Sequence, residues 1–273
     1  MSPEDFDFIA QLLKKRSGLV ISRDKLYLLE SRLLPVARNR GIESMSELLS
    51  RIRLRPDEAL LRDITEAMTT NESFFFRDTH PFEQFRQHTL PALLTTRASK
   101  KHIRIWCAAC STGQEPYSIA MILKEEAHKL AGWRVDILAT DLSREVLERA
   151  RQGIYNPFEV KRGLPPNMLN KYFKPLGDNW QIDAGIRSMV TYQEFNLLNS
   201  MMGLGKFDVV FCRNVLIYFD QETKAVVLNN IARLIPPDGF LYLGGTETIL
   251  GVTQAFKQSP EQRGIYYPTG ELK

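Results

Sequence analysis

Ile103-Arg-Ile-Trp-Cys107, then Ala-Ala, then Cys110-Ser-Thr-Gly-Gln-Glu-Pro-Tyr-Ser118 is the stretch whose reading decides the fold. The short apolar run reads as a buried strand, Ser111–Gly113 as a tight turn of small residues, and the segment from about Pro116 as a helix. In a parallel α/β sheet that succession lets a nucleotide-like cofactor approach the backbone and meet the free N–H groups of a helix start. A pyrophosphate-binding turn needs several glycines, whereas this one has Gly113 alone. Such a turn suits a cofactor without phosphates.

Working outward, Val135–Thr140, Phe207–Cys212 and Phe240–Gly244 are further candidate strands, with helical stretches at Glu115–Leu130 and from Ser143 to Gly153. The alternation predicts a doubly wound α/β sheet with ligands at the carboxyl ends of its strands. The second strand ends in Asp141, which reads either as an acceptor for ribose hydroxyls or as a plain helix-start residue. Phe207–Cys212 delivers Arg213 and Asn214 to the same edge, and Tyr218 follows, either a site residue or a core aromatic. Residues 154–190, rich in Pro, Gly, Asn and aromatics, break the rhythm and read as an insertion.

Upstream, residues 1–75 read as an all-helical domain: Phe6, Ile9, Ala10 and Leu13 recur at helical spacing, Ser44-Met-Ser-Glu47 is a capping box, and Leu60, Leu61, Ile64 and Met68 mark another helix. Residues 76–101 read as a linker and first helix of the catalytic domain, and 102–273 as the α/β domain itself. The junction Met68-Thr-Thr-Asn-Glu-Ser-Phe-Phe-Phe-Arg77 is richer in polar and aromatic groups than a linker requires and reads as a lid, although Phe74–Phe76 alone would suit plain packing.

Among 273 residues, 44% are hydrophobic and 25% charged, the balance of an ordinary soluble globular protein. The chain has no apolar run long enough to span a bilayer and an acidic start where a signal peptide would be basic, so a cytoplasmic location is expected. Cys107, Cys110 and Cys212 are too few for a disulfide framework, and a lone Cys-x-x-Cys pair supplies half a zinc site, so they read as structural and no metal is expected. A net charge of +4 makes an acidic partner plausible without naming it.

Four segments in order, Thr70-Asn-Glu-Ser-Phe-Phe-Phe-Arg77, Cys110-Ser-Thr-Gly-Gln-Glu-Pro-Tyr-Ser118, Ala139-Thr-Asp141 and Cys212-Arg-Asn-Val-Leu-Ile-Tyr-Phe219, resemble the CheR-type chemotaxis receptor methyltransferases. The resemblance spans nearly the whole chain. It implies a class I methyltransferase sheet, an N-terminal helical domain and a small β-subdomain at 154–190. It also implies S-adenosylmethionine as methyl donor, with S-adenosylhomocysteine as product, held by Asn71, Ser73, Arg77, Glu115, Asp141, Asn196, Leu197, Arg213 and Asn214. Arg77 and Tyr218 would lie near the transferred methyl. Ser73 departs from the usual Thr and Gln114 from the common Glu, and both keep hydrogen-bonding capacity.

The acceptor implied is a glutamate on a receptor helix. Its carboxylate, with a pKa of about 4.3, is ionised at neutral pH and needs no strong general base, which fits the lack of a Ser/His/Asp signature. A nucleic-acid methyltransferase of the amino-methylating kind often carries an Asn/Asp-Pro-Pro-aromatic run where this chain has Arg213-Asn-Val-Leu, so no nucleic-acid partner is expected. A non-catalytic binding module would not need Arg77, Glu115, Asp141 and Tyr218 together. The remaining partner expectations are a monomer without membrane insertion and no tethering to a receptor's C-terminal pentapeptide, because Pro175-Leu-Gly-Asp-Asn-Trp180 lacks the glycine-richer loop of tethering members. Arg23, Lys25, Arg32, Arg38 and Arg40 outnumber Asp24 and Glu30, and family members use a basic helix here to meet acidic receptor helices. Arg32, Arg38 and Arg40 are therefore the receptor-binding candidates, against the alternative of a solvated face interrupted by Pro35.

Overall fold

The computed structural model describes Met1–Gly270. It divides into two compact units, Met1–Thr70 with Tyr218–Thr223, and Asn71–Ile217 with Lys224–Lys273.

The first unit is built from α1 (Pro3–Ser17), α2 (Leu26–Asn39), α3 (Met45–Leu54) and α4 (Glu58–Met68). Ile9, Leu13, Leu29, Leu33, Leu48 and Ile64 are fully buried, one stripe from each helix. Ser2, Ser44 and Asp57 cap the starts of α1, α3 and α4. The box expected at Ser44 is half formed: the Glu47 N–H donates to Ser44 Oγ at 3.1 Å, but the Glu47 carboxylate accepts from the Glu43 N–H at 3.0 Å. Gly18 ends α1 at φ +78°, and a Cβ there would stand 2.9 Å from the Phe219 ring. Residues 218–223 thread this unit: the Val20 N–H donates to Tyr218 O at 2.9 Å, and Lys14 Nζ meets Asp220 at 2.6 Å.

The five cations of residues 23–40 do not share one helix. Arg23 and Lys25 form a 3-10 turn, Arg32 and Arg38 belong to α2, which continues through Pro35, and Arg40 lies past its end. Arg32 donates to the terminal carbonyls Met68 O (2.9 Å) and Thr69 O (2.8 Å), closing the end of α4. Arg40 is paired with Asp63 at 2.6 Å and Asp57 at 3.6 Å, while Arg38 is exposed.

In the second unit α5 (His80–Gln84) runs through a π-turn into α6 (Leu90–Thr96). Then come β1 (His102–Ala108), α7 (Gln114–Glu125), β2 (Arg134–Asp141), α8 (Arg144–Gln152), β3 (Ile154–Tyr155), α9 (Pro157–Lys161), α10 (Pro166–Tyr172), β4 (Phe173–Leu176) and β5 (Asn179–Ile182). The series ends with α11 (Ala184–Arg187), β6 (Val190–Glu194), β7 (Val209–Cys212), α12 (Gln221–Ala232, of which Lys224 onward belongs to this unit), β8 (Phe240–Leu243), β9 (Phe256–Gln258) and β10 (Ile265–Pro268). The main sheet has the order β6-β2-β1-β7-β8-β10-β9, parallel apart from the final hairpin. The predicted helix over Glu115–Leu130 stops at Glu125 and gives way to a 3-10 turn at Ala127–Lys129. Absent from the sequence-based list are β6, largely exposed at the edge, and the β9–β10 hairpin. Within 154–190 lies the expected second sheet, three antiparallel strands in the order β3-β5-β4. Its edge strand β4 carries Pro175, which removes an N–H from the open side.

Register sets the site. Ala108 is level with Thr140 and Cys212, and Cys212 with Leu243. Four neighbouring parallel strands therefore release their chains at one height, and strand order changes direction between β1 and β7, the position where doubly wound sheets hold ligands.

Candidate active site

The turn after β1 is strained and is held by its neighbours. Ala109, Ser111 and Gly113 alternate into the left-handed region at φ 58°, 51° and 93°. Two of these are not glycine; each such residue costs about 1–3 kcal/mol and persists only where its surroundings fix it. They do: the Cys110 N–H donates to Thr140 O at 2.9 Å, the Tyr155 hydroxyl to Thr112 O at 2.7 Å, and the Ser111 N–H to Asp141 Oδ2 at 2.8 Å. A Cβ on Gly113 would lie 2.8 Å from the Tyr192 hydroxyl, so this position must be glycine. Asp141, buried, also accepts the Ser143 N–H at 3.0 Å and thus holds both the turn and the start of α8.

The segment Asn71–Thr79 runs against this turn as a strap. The Ser111 hydroxyl donates to Asn71 O at 2.6 Å, and the Phe76 N–H donates to Ser118 Oγ at 3.0 Å. Phe76, Asp78 and Thr79 all have positive φ. Ser73 and Arg77 are half-buried, and Arg77 Nη1 donates to Glu72 O at 2.8 Å.

Arg213, almost wholly buried, ties the strap to the sheet. Its guanidinium donates to Glu115 (2.9 Å), Arg77 O (2.9 Å) and Asp78 (2.7 Å), and its Nε is buried without a hydrogen-bond partner in the described residues. Burial pushes the Glu115 carboxyl above its ordinary range against the pull of Arg213. Asn196 and Leu197 follow β6 beside Asp141, because the Phe195 N–H donates to Asp141 O at 2.8 Å; Leu197 is buried. Asn214 sits at φ 59°. Asn71, Ser73, Arg77, Glu115, Asp141, Asn196, Leu197, Arg213 and Asn214 all belong to this unit, whereas Tyr218 belongs to the helical one.

Sequence reasoning missed Glu247. This carboxylate accepts five main-chain N–H groups: Gly244 (2.7 Å) and Asn214 (2.8 Å) on Oε2, and Val215 (3.0 Å), Leu216 (2.7 Å) and Ile217 (3.3 Å) on Oε1. A Cβ on Gly244 would fall 2.7 Å from Glu247 Oε2. The available signal was Gly244-Gly-Thr-Glu247, small residues and an acid just past a strand, as in Thr140-Asp141. The three cysteines are buried, and burial pushes each thiol upward. Among the described residues no group of three or more His, Cys, Asp or Glu is arranged to hold a metal.

These groups suit a cofactor with a diol, an amino-acid end and no phosphates. Asp141 and Glu115 line the edge, and of the two arginines beside it, Arg213 and Arg77, the buried Arg213 is already offset by Glu115 and Asp78. A phosphate would meet net negative charge here; a sulfonium meets complementary charge. Sheet order, switch-point location and this edge are those of an S-adenosylmethionine-dependent methyltransferase. Residues 71–265 match the family model described as CheR methyltransferase, SAM binding domain, and residues 4–69 match CheR methyltransferase, all-alpha domain. The chain belongs to the CheR methyltransferase family.

Curated relatives agree over nearly full length. "Chemotaxis protein methyltransferase Cher2" of Pseudomonas putida is 40% identical over 267 residues, covering 96% of this chain and 97% of the relative. "Chemotaxis protein methyltransferase 1" of Pseudomonas aeruginosa is 41% identical, with the same 96% and 97% coverage. "Chemotaxis protein methyltransferase" of Vibrio parahaemolyticus is 38% identical over 270 residues, covering 98% and 97%.

Proposed function

We propose that the chain transfers a methyl group to glutamate side chains of chemotaxis receptors, giving glutamate methyl esters. The observation that carries this reading is the switch-point edge, where Asp141 and Glu115 border a turn too poor in glycine for pyrophosphate, in a chain of the CheR family. Bound S-adenosylmethionine supplies a methyl group on a sulfonium, open to in-line attack. Asp141 would accept hydrogen bonds from the ribose hydroxyls, and Glu115, Asn71, Ser73, Asn196, Leu197, Arg213 and Asn214 would complete the cofactor contacts. Arg77 and Tyr218 act near the transferred methyl. The acceptor is ionised at neutral pH, so these residues orient it and replace its water shell; orientation of this kind supplies roughly 7–11 kcal/mol.

The helical unit meets the acidic receptor region, and Arg38, exposed, is better placed for that than Arg32 or Arg40, whose donors are engaged within the unit. The short loop between β4 and β5, with Gly177 as its one glycine, supports methylation without pentapeptide tethering. The working location is the cytoplasm; no described helix is long and apolar enough to cross a membrane. The test is incubation with labelled S-adenosylmethionine and receptor-bearing membranes. Alkali-labile label on the receptor is expected, lost when the acceptor glutamates are replaced by alanine and strongly reduced by Arg77→Ala or Tyr218→Phe. Label that survives removal of the glutamates would sink the reading.

A further inference from the structure

The insertion sends one residue pair back onto the strap. Gly163, at φ +81°, lies so close that a Cβ there would stand 2.0 Å from Phe75 O. Its neighbour Arg162 has its guanidinium carbon 4.3 Å from the centroid of the Phe74 ring. Arg77 lies over the same ring at 5.4 Å. Both guanidiniums also converge on one residue: Arg162 Nη2 meets Glu72 Oε1 at 2.7 Å, and Arg77 Nη1 meets Glu72 O at 2.8 Å. The Arg162 and Glu72 side chains are 41% and 57% exposed, so this is a surface arrangement open to a partner.

Resting on the glutamate-methylation reading, we propose that Arg162, with Phe74 and Arg77, forms a carboxylate-binding ledge for the acceptor segment, and that Glu72 occupies it in this structure. A guanidinium presents a planar fork of donors that fits a carboxylate, and an aromatic ring beneath it limits its rotation and hydration. Glu72 carries the same functional group as the acceptor. Whatever geometry holds one holds the other, and an ion pair this exposed is readily exchanged. The ledge selects an anionic segment, either the reacting glutamate or a carboxylate beside it. Arg162 is then an acceptor-binding residue contributed by the insertion.

The experiment measures methyl transfer to receptor-bearing membranes over a range of receptor concentration, with calorimetric S-adenosylhomocysteine affinity as a check on fold and cofactor site. Arg162→Ala is expected to raise the acceptor KM by about tenfold while cofactor affinity holds, the loss of one charge-assisted contact. Arg162→Lys, keeping charge without the fork, should lose about threefold and carries the test if the alanine variant does not fold. Glu72→Gln, which vacates the ledge, should lower the acceptor KM. An unchanged KM in Arg162→Ala overturns the proposal. So does a rise in Glu72→Gln, because a purely structural Arg162–Glu72 pair requires both variants to lose. If wild-type protein binds S-adenosylhomocysteine yet labels no receptor, the methylation reading itself fails.

Discussion

The turn after β1 and the loop after β7 leave adjacent strands at the same height, and each is gripped by a carboxylate from the next strand outward. They are made in opposite ways. The β1 turn, with positive φ at Ala109, Ser111 and Gly113, is held by separate partners: Thr140 O, the Tyr155 hydroxyl, and Asp141, which gathers one of its N–H groups. The β7 loop, Asn214-Val-Leu-Ile217, has apolar side chains that specify no turn, and the single carboxylate of Glu247 gathers four of its N–H groups. One loop shares its fastening among several groups; the other is organised by one acid.

Glu247→Ala should therefore produce the largest effect. Five donors lose their acceptor at once, and a destabilisation of about 3–5 kcal/mol is expected from denaturant unfolding, the range for breaking a buried charged contact. A loss below about 1 kcal/mol would show that the β7 loop holds itself and would erase the contrast.

Asp141→Ala is the matching change on the other side. Because the β1 turn keeps its fastenings to Thr140 O and the Tyr155 hydroxyl, the unfolding free energy should fall by only about 1–2 kcal/mol, whereas S-adenosylhomocysteine affinity weakens by about 1–3 kcal/mol. Calorimetry showing native affinity would remove Asp141 from the cofactor site and leave it a fastening like Glu247.

The smallest effect is expected just beyond the β7 loop, at Asp220. Lys14 and the Thr223 N–H hold its carboxyl below the ordinary value of 3.8. A depressed folded pKa means that the added stability is present above about pH 3.8 and disappears as pH falls through the lower folded value. Asp220→Asn should lose about 0.5 kcal/mol near neutrality, and the difference from wild type should vanish in acid. A difference that persists at low pH would assign the effect to capping geometry rather than charge.

What was legible in the sequence follows the same division. Strands β7 and β8 were readable because both faces are buried and their apolar runs are continuous; β1 and β2 were readable because their apolar residues are broken only by Arg104 and Asp136 and their carboxyl halves are buried; Ser143 and Gly153 bounded α8 by local chemistry. Strand β6 was not, since Thr191, Gln193 and Glu194 face solvent at the sheet edge. Both Asp141 and Glu247 act on residues about thirty positions away, a relation no local pattern encodes; Asp141 could be found because it ends a strand, whereas Glu247 lies in the loop past Gly244. The basic stretch was legible only as charge, because charge can be counted in a sequence but its partners cannot: Arg40 pairs with Asp63, and Arg32 serves a helix end.

Residues Tyr218–Thr223 bear on how members of this family can be recombined. The helical unit is not a continuous stretch of gene: its Gly18 leaves room for the Phe219 ring, and its Lys14 and Val20 hold Asp220 and the Tyr218 carbonyl. A chimera joined at residue 70 would place a foreign helical unit around a native six-residue segment, leaving an aromatic ring and a carboxylate without the neighbours that fit them. Exchange between relatives has to move two pieces of coding sequence together, so this unit is inherited as a coupled pair rather than as an interchangeable cassette.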